Sequence, residues 1–196
     1  MREVVRLSIV LFIIAGVAAL LLGLTNYVTA DLIEEQIRME NQLAREGVMS
    51  EADEFQEVDA NKVQEAVDAS GIDNAESVEE VYEAVASGEI VGYTIKTTPS
   101  GYGGDISMLT GISVEGVITG VRIISHEETP GLGAKIIEES FYTQFNELPF
   151  EEPVEVIKSG EPQENQIAAI TGATISSQAI VDGTNDAIAV YQELVE

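Results

Sequence analysis

A run of uncharged, mostly apolar residues near the N-terminus constrains this chain more than any other feature. It extends from Leu7 to Ala30 and reads "LSIVLFIIAGVAALLLGLTNYVTA". As a helix with a rise of ~1.5 Å per residue, the run is about 36 Å long, enough to cross a hydrocarbon core of ~30 Å. A cleaved signal peptide is the alternative, because small residues occur at Val28–Ala30, but the apolar core of a signal peptide has only ~7–15 residues. We therefore expect residues 7–30 to form a retained transmembrane helix.

The charges that flank this run predict its orientation. Arg2 and Arg6 precede the run, whereas acidic residues, beginning with Asp31 and Glu34, follow it before any basic residue. Basic residues beside a span favour the cytoplasmic side of the membrane. We therefore expect residues 1–6 to be a cytoplasmic tail and residues 31–196 to lie on the extracytoplasmic side of the cell membrane.

The composition excludes several classes of function. The chain has 35 acidic against 9 basic residues and a formal net charge of −26, so nucleic acids and anionic lipid surfaces would repel it. It has no cysteine and a single histidine. Disulfides, cysteine-held iron–sulfur clusters and multi-histidine metal sites are therefore excluded, and we expect no metal.

The segment after the run predicts an acidic helical region. Residues 31–49 mix apolar with charged side chains, which predicts a helix that continues out of the membrane. Residues 51–85 are rich in acids, and their apolar spacing predicts two short amphipathic helices, around Val63–Val67 and around Val78–Val85. We therefore expect residues 31–87 to form an acidic helical stalk or subdomain.

Residues 88–196 predict an α+β domain, because strands and turns follow Gly88 and a helical pattern ends the chain. The predicted elements, in chain order, are a strand at Glu89–Thr98, a hairpin at Ile106–Ser125 that turns at Glu115-Gly116, a helix through Ile137, Phe141 and Phe145, a strand at Val154–Lys158 and a helix from near Ser176. A glycine-rich loop, "PSGYGGD", separates the first strand from the hairpin.

Two loops of this domain stand out. In "ETPGLGAK" (Glu128–Lys135), Gly131 and Gly133 permit backbone geometries, or a close approach of a ligand, that a side chain would forbid. A turn that joins a strand to a helix explains the two glycines equally well.

The second loop, "TGATISS", places four hydroxyl side chains at the start of the last helix, those of Thr171, Thr174, Ser176 and Ser177. Free backbone N–H groups and the positive end of the helix dipole suit a phosphate there. A helix N-cap is the alternative, although a cap needs only one hydroxyl. No lysine follows Gly172 as in a P-loop, so nucleotide hydrolysis is not indicated.

The two segments "HEETPGLGAKI" and "ITGATISS" together resemble the FMN-binding domain of the G subunit of the Rnf complex, the membrane ferredoxin:NAD oxidoreductase. The C subunit of the sodium-pumping NADH:quinone oxidoreductase has a similar domain. Both also have one N-terminal span followed by an external domain. The resemblance implies a twisted antiparallel sheet flanked by helices, which carries FMN.

The resemblance also implies roles for individual residues. Thr174 would carry FMN through a phosphoester that a separate flavin transferase makes. The residues expected around the phosphate are Thr171, Gly172, Ala173 and Ser176, and those on the flavin side are Glu128, Thr129, Gly131, Leu132 and Gly133. The family pattern usually has Asp at the position of Ala168, so we expect either a tolerant transferase or inefficient attachment. For His126, beside the flavin loop, we expect a structural role rather than tuning of the flavin.

The function expected from this resemblance is electron transfer in a membrane-bound, ion-translocating ferredoxin:NAD oxidoreductase, with other membrane and redox subunits as partners. This chain would supply FMN but no catalytic residue of its own. The C subunit of the quinone reductase and a stand-alone extracellular flavin carrier are alternatives, and "TPGLG" followed by "AK" favours the Rnf subunit. A non-redox, membrane-anchored interaction module is the alternative from another class.

Overall fold

The computed structural model describes residues 2–195, which form two compact units, with the division between residues 41 and 42. The first element is helix α1, Arg2–Val48, which contains the whole uncharged run. α1 is the one helix within residues 2–195 that is long and apolar enough to cross a membrane. Its apolar side chains from Leu7 to Val28 are largely exposed in the chain alone, as expected for a surface that lipid covers.

An antiparallel sheet of six strands, in which neighbours along the chain are neighbours in space, forms the body of the second unit. The strands are β1 (Glu54–Glu57), β2 (Val78–Ala86), β3 (Glu89–Thr97), β4 (Ile106–Ser113), β5 (Val117–His126) and β6 (Leu148–Pro149), and a separate parallel pair is formed by β7 (Glu155–Ile157) and β8 (Gln166–Ala168). The helices are α2 (Ala60–Ser70), the single turn α3 (Glu139–Tyr142) and α4 (Thr174–Val195), with short 3₁₀ segments at Ala75–Ser77, Gly133–Ile137 and Thr143–Phe145. The fold class expected from the resemblance, an α+β domain with a twisted antiparallel sheet and flanking helices, is therefore confirmed.

Helix α4 packs against one face of this sheet and closes the core. Ile180 has no exposed surface, and Tyr191 meets the ring of Tyr93 edge-on, with the ring centroids 5.7 Å apart. Burial of side chains of this size contributes ~1.5–3 kcal/mol each. At Gly183 an added Cβ would lie 2.8 Å from Pro99, just past the end of β3, so glycine is needed for α4 to approach the sheet this closely.

The opposite face of the sheet is opened by glycines on three adjacent strands, Gly92 on β3, Gly111 on β4 and Gly120 on β5. Val48 and Met49 lie over them and are buried. An added Cβ at Gly111 would stand 2.8 Å from the Val48 carbonyl oxygen. The row of glycines therefore seats the last turn of α1 on the sheet, within the second unit.

The prediction of a helix around Val78–Val85 is wrong, because these residues form β2, paired with β1 and with β3. The apolar residues of β2 recur every three or four positions, as in a helix. This spacing places apolar side chains on both faces of the strand, and both faces are partly covered. Val81 faces the core with 1% exposure, and on the other face the Arg45 guanidinium lies 3.7 Å from the centre of the Tyr82 ring. Valine and tyrosine favour strands, and the sheet decides between the two patterns.

The expected boundary at residue 88 is also wrong, because β1 and β2 precede it in the same sheet and the compact unit begins at Gln42. The helix predicted around Val63–Val67 is present as α2. It starts where the Asp59 carboxylate accepts the Asn61 N–H at 3.0 Å, and it ends at Gly71, with φ of 70°.

Three later elements can be compared with their predictions. The strand at Glu89–Thr98 and the hairpin are confirmed as β3, β4 and β5. The continuous helix through Ile137, Phe141 and Phe145 is wrong, because extended Glu138 separates a 3₁₀ segment from α3. The tighter turn shifts the inward position from Ile137, which is exposed, to Ile136, which is fully buried.

Candidate functional site

A cavity of about 460 Å³ lies at the start of α4, within the ~300–1,000 Å³ usual for ligand sites. It is lined by Tyr102, Glu128, Thr129, Leu132, Gly133, Gly172, Ala173, Thr174, Ile175 and Ser176. Three segments meet there, the glycine-rich loop after β3, the loop after β5 and the first turn of α4. The two loops singled out in the sequence therefore come together.

Most of the residues expected at the site line this cavity, and two do not. Thr171 instead lines a neighbouring cavity of about 340 Å³ with Lys135 and Ala168, among others. Gly131 lines neither cavity. It has φ of 78°, and an added Cβ there would meet nothing within 4 Å, so the turn rather than a close contact requires glycine at this position.

Two residues that line the cavity were missed from the sequence. Tyr102 is 72% exposed in the glycine-rich loop, and Ile175 is 55% exposed on α4. The only sequence signal for Ile175 is an apolar side chain outside the buried stripe of the helix. With Leu132, which is 48% exposed, they give the cavity a rim of large apolar groups. Such a rim suits a planar, largely apolar ring system.

The first turn of α4 presents backbone N–H groups to the same cavity. The first hydrogen bond of the helix runs from Ser177 N–H to the Ala173 carbonyl, at 3.0 Å. The N–H groups of Thr174, Ile175 and Ser176 come before it and are outside the helical ladder. Gly172 turns the chain into the helix with φ of 82°. Among the residues that the structure describes, these three N–H groups have no hydrogen-bond partner, and at the positive end of a 22-residue helix they form a site that suits a phosphate.

The four hydroxyls of this segment have different environments. Ser177 is buried, donates to the Ala173 carbonyl and accepts the Ile170 N–H, each at 3.0 Å. Ser176 is also buried and donates to Glu128 Oε2 at 2.9 Å. Thr174, half-buried, lines the cavity, and within residues 2–195 no intramolecular hydrogen bond holds its hydroxyl. Thr171 is exposed and lines the neighbouring cavity. Of the four, Thr174 is therefore the one whose hydroxyl is open to a group bound in this cavity.

Glu128 is the buried charge of the cavity, with 5% exposure. Its Oε1 accepts the N–H groups of Tyr102 and Gly103, at 2.7 and 3.2 Å, and its Oε2 accepts the Ser176 hydroxyl. Burial raises the pKa of Glu128, but the hydrogen bonds from Gly103, Ser176 and Tyr102 outweigh burial and hold the pKa below its usual value. Glu128 is therefore ionised at neutral pH and cannot serve there as a proton donor.

His126 and Ala168 both lie outside this cavity. The His126 Nδ1 accepts the Glu128 N–H at 3.1 Å, and the ring faces another cavity, with Asp105 and Glu127. Ala168 lies on β8, where its N–H donates to Gln144 Oε1 at 2.8 Å. Neither residue is placed to touch a group bound at the start of α4.

The residues present fit FMN by the chemistry of their donors. A phosphate is matched by the N–H groups and the Thr174 hydroxyl at the start of α4, and a flavin ring by the apolar rim of Tyr102, Leu132 and Ile175. The cavity is large enough for a ligand of this class.

Comparison with solved structures shows a shared fold. The C subunit of the Na(+)-translocating NADH-quinone reductase from Parabacteroides distasonis superposes with a TM-score of 0.55 and 21% identity, covering 74% of this chain and 78% of that one. NqrC from Shewanella oneidensis gives 0.52 and 14%, covering 80% and 97%. Identities this low show the fold alone.

Comparison of sequences shows the family. Residues 101–189 match the FMN-binding domain family. The chain is 46% identical to the G subunit of the Na(+)-translocating ferredoxin:NAD(+) oxidoreductase complex of Acetobacterium woodii, over 98% of this chain and 94% of that protein. It is 34% identical to the G subunit of the ion-translocating oxidoreductase complex of Methanosarcina acetivorans, over 95% and 94%. The chain therefore belongs, as its two motifs predicted, to the family of the G subunits of Rnf-type, ion-translocating oxidoreductase complexes.

Proposed function

We propose that this chain is the electron-transfer subunit of a membrane-bound, ion-translocating ferredoxin:NAD oxidoreductase, and that it carries FMN through a phosphoester on Thr174. The observation that carries the proposal is the position of Thr174, whose hydroxyl faces the cavity beside the free N–H groups of α4. The similarity of the whole chain to G subunits of such complexes, one of them 46% identical, supports the same function. When bound, FMN supplies the redox chemistry, since it exchanges electrons one or two at a time.

Thr174 is favoured over the other three hydroxyls by their hydrogen bonds and positions. Ser176 and Ser177 already donate to Glu128 and to the Ala173 carbonyl. Thr171 lines the neighbouring cavity instead. A phosphoester requires a hydroxyl that a phosphate can reach, and Thr174 meets this condition at the positive end of the helix.

The remaining residues of the cavity would hold the cofactor rather than react. The N–H groups of Ile175 and Ser176 would donate to phosphate oxygens, and Gly172 leaves that approach free of a side chain. Tyr102 and Leu132 would cover the ring system and exclude water from part of it. Thr129, Gly133 and Ala173 complete the wall of the cavity.

The proposed location follows from the flanks of the membrane span. Arg2 and Arg6 would keep the N-terminus in the cytoplasm, so the FMN domain would face the outside of the cell membrane. A flavin transferase would load the cofactor, and other membrane and redox subunits would exchange electrons with it. The strong negative charge of the chain would favour contact with basic surfaces of those partners.

The test is a set of single substitutions in the full-length protein, produced together with a competent flavin transferase. Thr174→Ala should abolish covalent flavin, because alanine offers no hydroxyl for the ester. Thr171→Ala and Ser176→Ala should keep part of it, since hydroxyls that only position a charged group contribute about 1.5–3 kcal/mol each. Fluorescence of the denatured band and the intact mass measure attachment.

Thr171→Ala is the matched control, because it removes the same side chain three positions earlier. FMN at the wild-type level on Thr174→Ala would refute the attachment site. A wild-type protein without flavin would point to Ala168, and Ala168→Asp should then restore the label.

A further inference from the structure

We propose that Glu128 is a positioning residue of the cavity: its carboxylate fastens the glycine-rich loop to the first turn of α4 and so sets where Thr174 points. The effect of Glu128 on flavin attachment rests on the function proposed above. The fastening itself is a property of the chain without cofactor.

The contacts of this carboxylate join segments that are far apart in sequence. Glu128 accepts two backbone N–H groups from the glycine-rich loop, those of Tyr102 and Gly103, and one hydroxyl from α4, that of Ser176. The separations along the chain are 26, 25 and 48 residues. Hydrogen bonds to a charged acceptor are roughly twice as strong as those between neutral groups. One buried carboxylate therefore joins all three walls of the cavity.

Two glycines provide the space for this carboxylate. An added Cβ at Gly101 would overlap Glu128 Oε1, and one at Gly133 would overlap Oε2 and stand 2.6 Å from the Ser176 hydroxyl. Neither glycine has the positive φ that would itself require glycine. The carboxylate therefore accounts for glycine at Gly133, which need not be a point of direct contact with a ligand. At Gly101 an added Cβ would also stand 2.7 Å from Ile106 and 2.9 Å from the Gly104 carbonyl oxygen, so the carboxylate is one of three groups that require glycine there.

The position of Ser176 connects this contact to the attachment site. Ser176 lies two residues after Thr174, in the same first turn of α4. A helix turn moves as a unit, because its backbone hydrogen bonds couple neighbouring residues. A first turn released from Glu128 would let the Thr174 hydroxyl and the nearby N–H groups change direction together.

The substitutions separate charge from shape. Glu128→Gln keeps the length of the side chain, and its amide oxygen can still accept from Tyr102 and Gly103. Its NH₂ group would then donate to Ser176, which reverses that hydrogen bond and removes the charge. Glu128→Ala removes all three contacts. Glu127→Gln is the matched control, since this neighbouring carboxylate is exposed and does not line the cavity.

The experiment uses full-length protein produced with the transferase. We measure the fraction labelled, and the fluorescence anisotropy and iodide quenching of the attached flavin. Glu128→Ala should reduce attachment about tenfold, as expected for the loss of charge-assisted hydrogen bonds, and leave the remaining flavin more mobile and more readily quenched. Glu128→Gln should fall between this variant and wild type, and Glu127→Gln should match wild type. Ser176→Ala combined with Glu128→Ala should add little to Glu128→Ala alone, because the two residues act through one contact.

The outcomes separate the two proposals. A folded Glu128→Ala variant with wild-type attachment, anisotropy and quenching would overturn the positioning role, and Glu128→Gln decides the matter where Glu128→Ala does not fold. If wild-type protein carries no flavin and Ala168→Asp does not restore the label, the result counts against the proposed function instead. Hydrogen exchange on flavin-free protein then tests the fastening directly. Glu128→Gln should speed exchange at residues 99–105 and 171–177, and unchanged exchange there would overturn the inference.

Discussion

Gly133 offers the sharpest test of how the cavity is built, when it is compared with Gly131, two residues earlier. Gly133→Ala would place a Cβ where the Glu128 carboxylate lies and 2.6 Å from the Ser176 hydroxyl. Gly131→Ala would place a Cβ in open space, but at φ of 78°. The two substitutions add the same methyl group, and we expect them to destabilise the domain for different reasons.

The magnitudes follow from these surroundings. Gly133→Ala must separate Glu128 from Ser176, which loses a hydrogen bond to a charged group of ~1.5–3 kcal/mol and leaves a buried carboxylate short of a donor, about 3 kcal/mol or more in all. Gly131→Ala costs only the strain of left-handed backbone, ~1–2 kcal/mol. Since 1 kcal/mol shifts the melting temperature by ~2–4 °C in domains of this size, we expect losses of ~6–12 °C and ~2–8 °C, respectively.

Thermal unfolding of the full-length protein in detergent measures both losses. Near-ultraviolet circular dichroism is suited to it, because the chain lacks tryptophan and the buried Tyr93 and Tyr191 report on the core. Ser176→Ala provides the decisive background. It should reduce the effect of Gly133→Ala, since one of the two colliding groups is gone, and leave the effect of Gly131→Ala unchanged. Equal losses for the two glycine variants, additive with Ser176→Ala, would refute the reasoning.

Two further predictions concern charge and topology. Burial raises the pKa of Asp186, although the hydrogen bond from Ser77 lowers it. The folded state therefore binds the carboxyl proton of Asp186 more tightly than the unfolded state does. The protein loses stability as pH rises from ~3.9, the unfolded-state pKa, through the folded-state pKa. Asp186→Asn should therefore raise the melting temperature near neutral pH more than near pH ~4, and an equal gain at both would contradict this. Because the chain has no cysteine, Glu51→Cys should react with an impermeant maleimide on intact cells while Glu3→Cys reacts only after permeabilisation, and the reverse would contradict the outward orientation.

The elements that the sequence alone determined are those in which local pattern and local chemistry agree. The uncharged run at 7–30 is long enough for a membrane whatever surrounds it. The hairpin turns beside Gly116, where φ is 79°, and that turn needs no distant partner. The last helix follows from its apolar spacing, and it starts inside "TGATISS", at Thr174, two residues before the predicted position. The two motifs, "HEETPGLGAKI" and "ITGATISS", were sufficient to predict the family.

The elements that only the tertiary structure decided depend on contacts between distant residues. Taken alone, the sequence of β2 has the apolar spacing of a helix. It forms a strand because β1 and β3 form hydrogen bonds with its two edges. No local pattern could reveal this, since helix and strand propensities differ by less than such pairing supplies.

The candidate site divides in the same way. The sequence located both loops, because glycine and hydroxyl residues cluster visibly in each. It could not identify the hydrogen-bond partner of Ser176, which is Glu128, 48 residues earlier. It also could not predict that Tyr102 lines the cavity, because the sequence of its loop indicates only a turn. It predicted that Gly133 lies beside the ligand, and Gly133 does line the cavity, but the sequence could not show that the Glu128 carboxylate lies against this glycine. A residue type indicates which local backbone conformations are possible. Which atoms lie beside that residue depends on the tertiary structure, because the sheet and α4 bring the three segments of the cavity together.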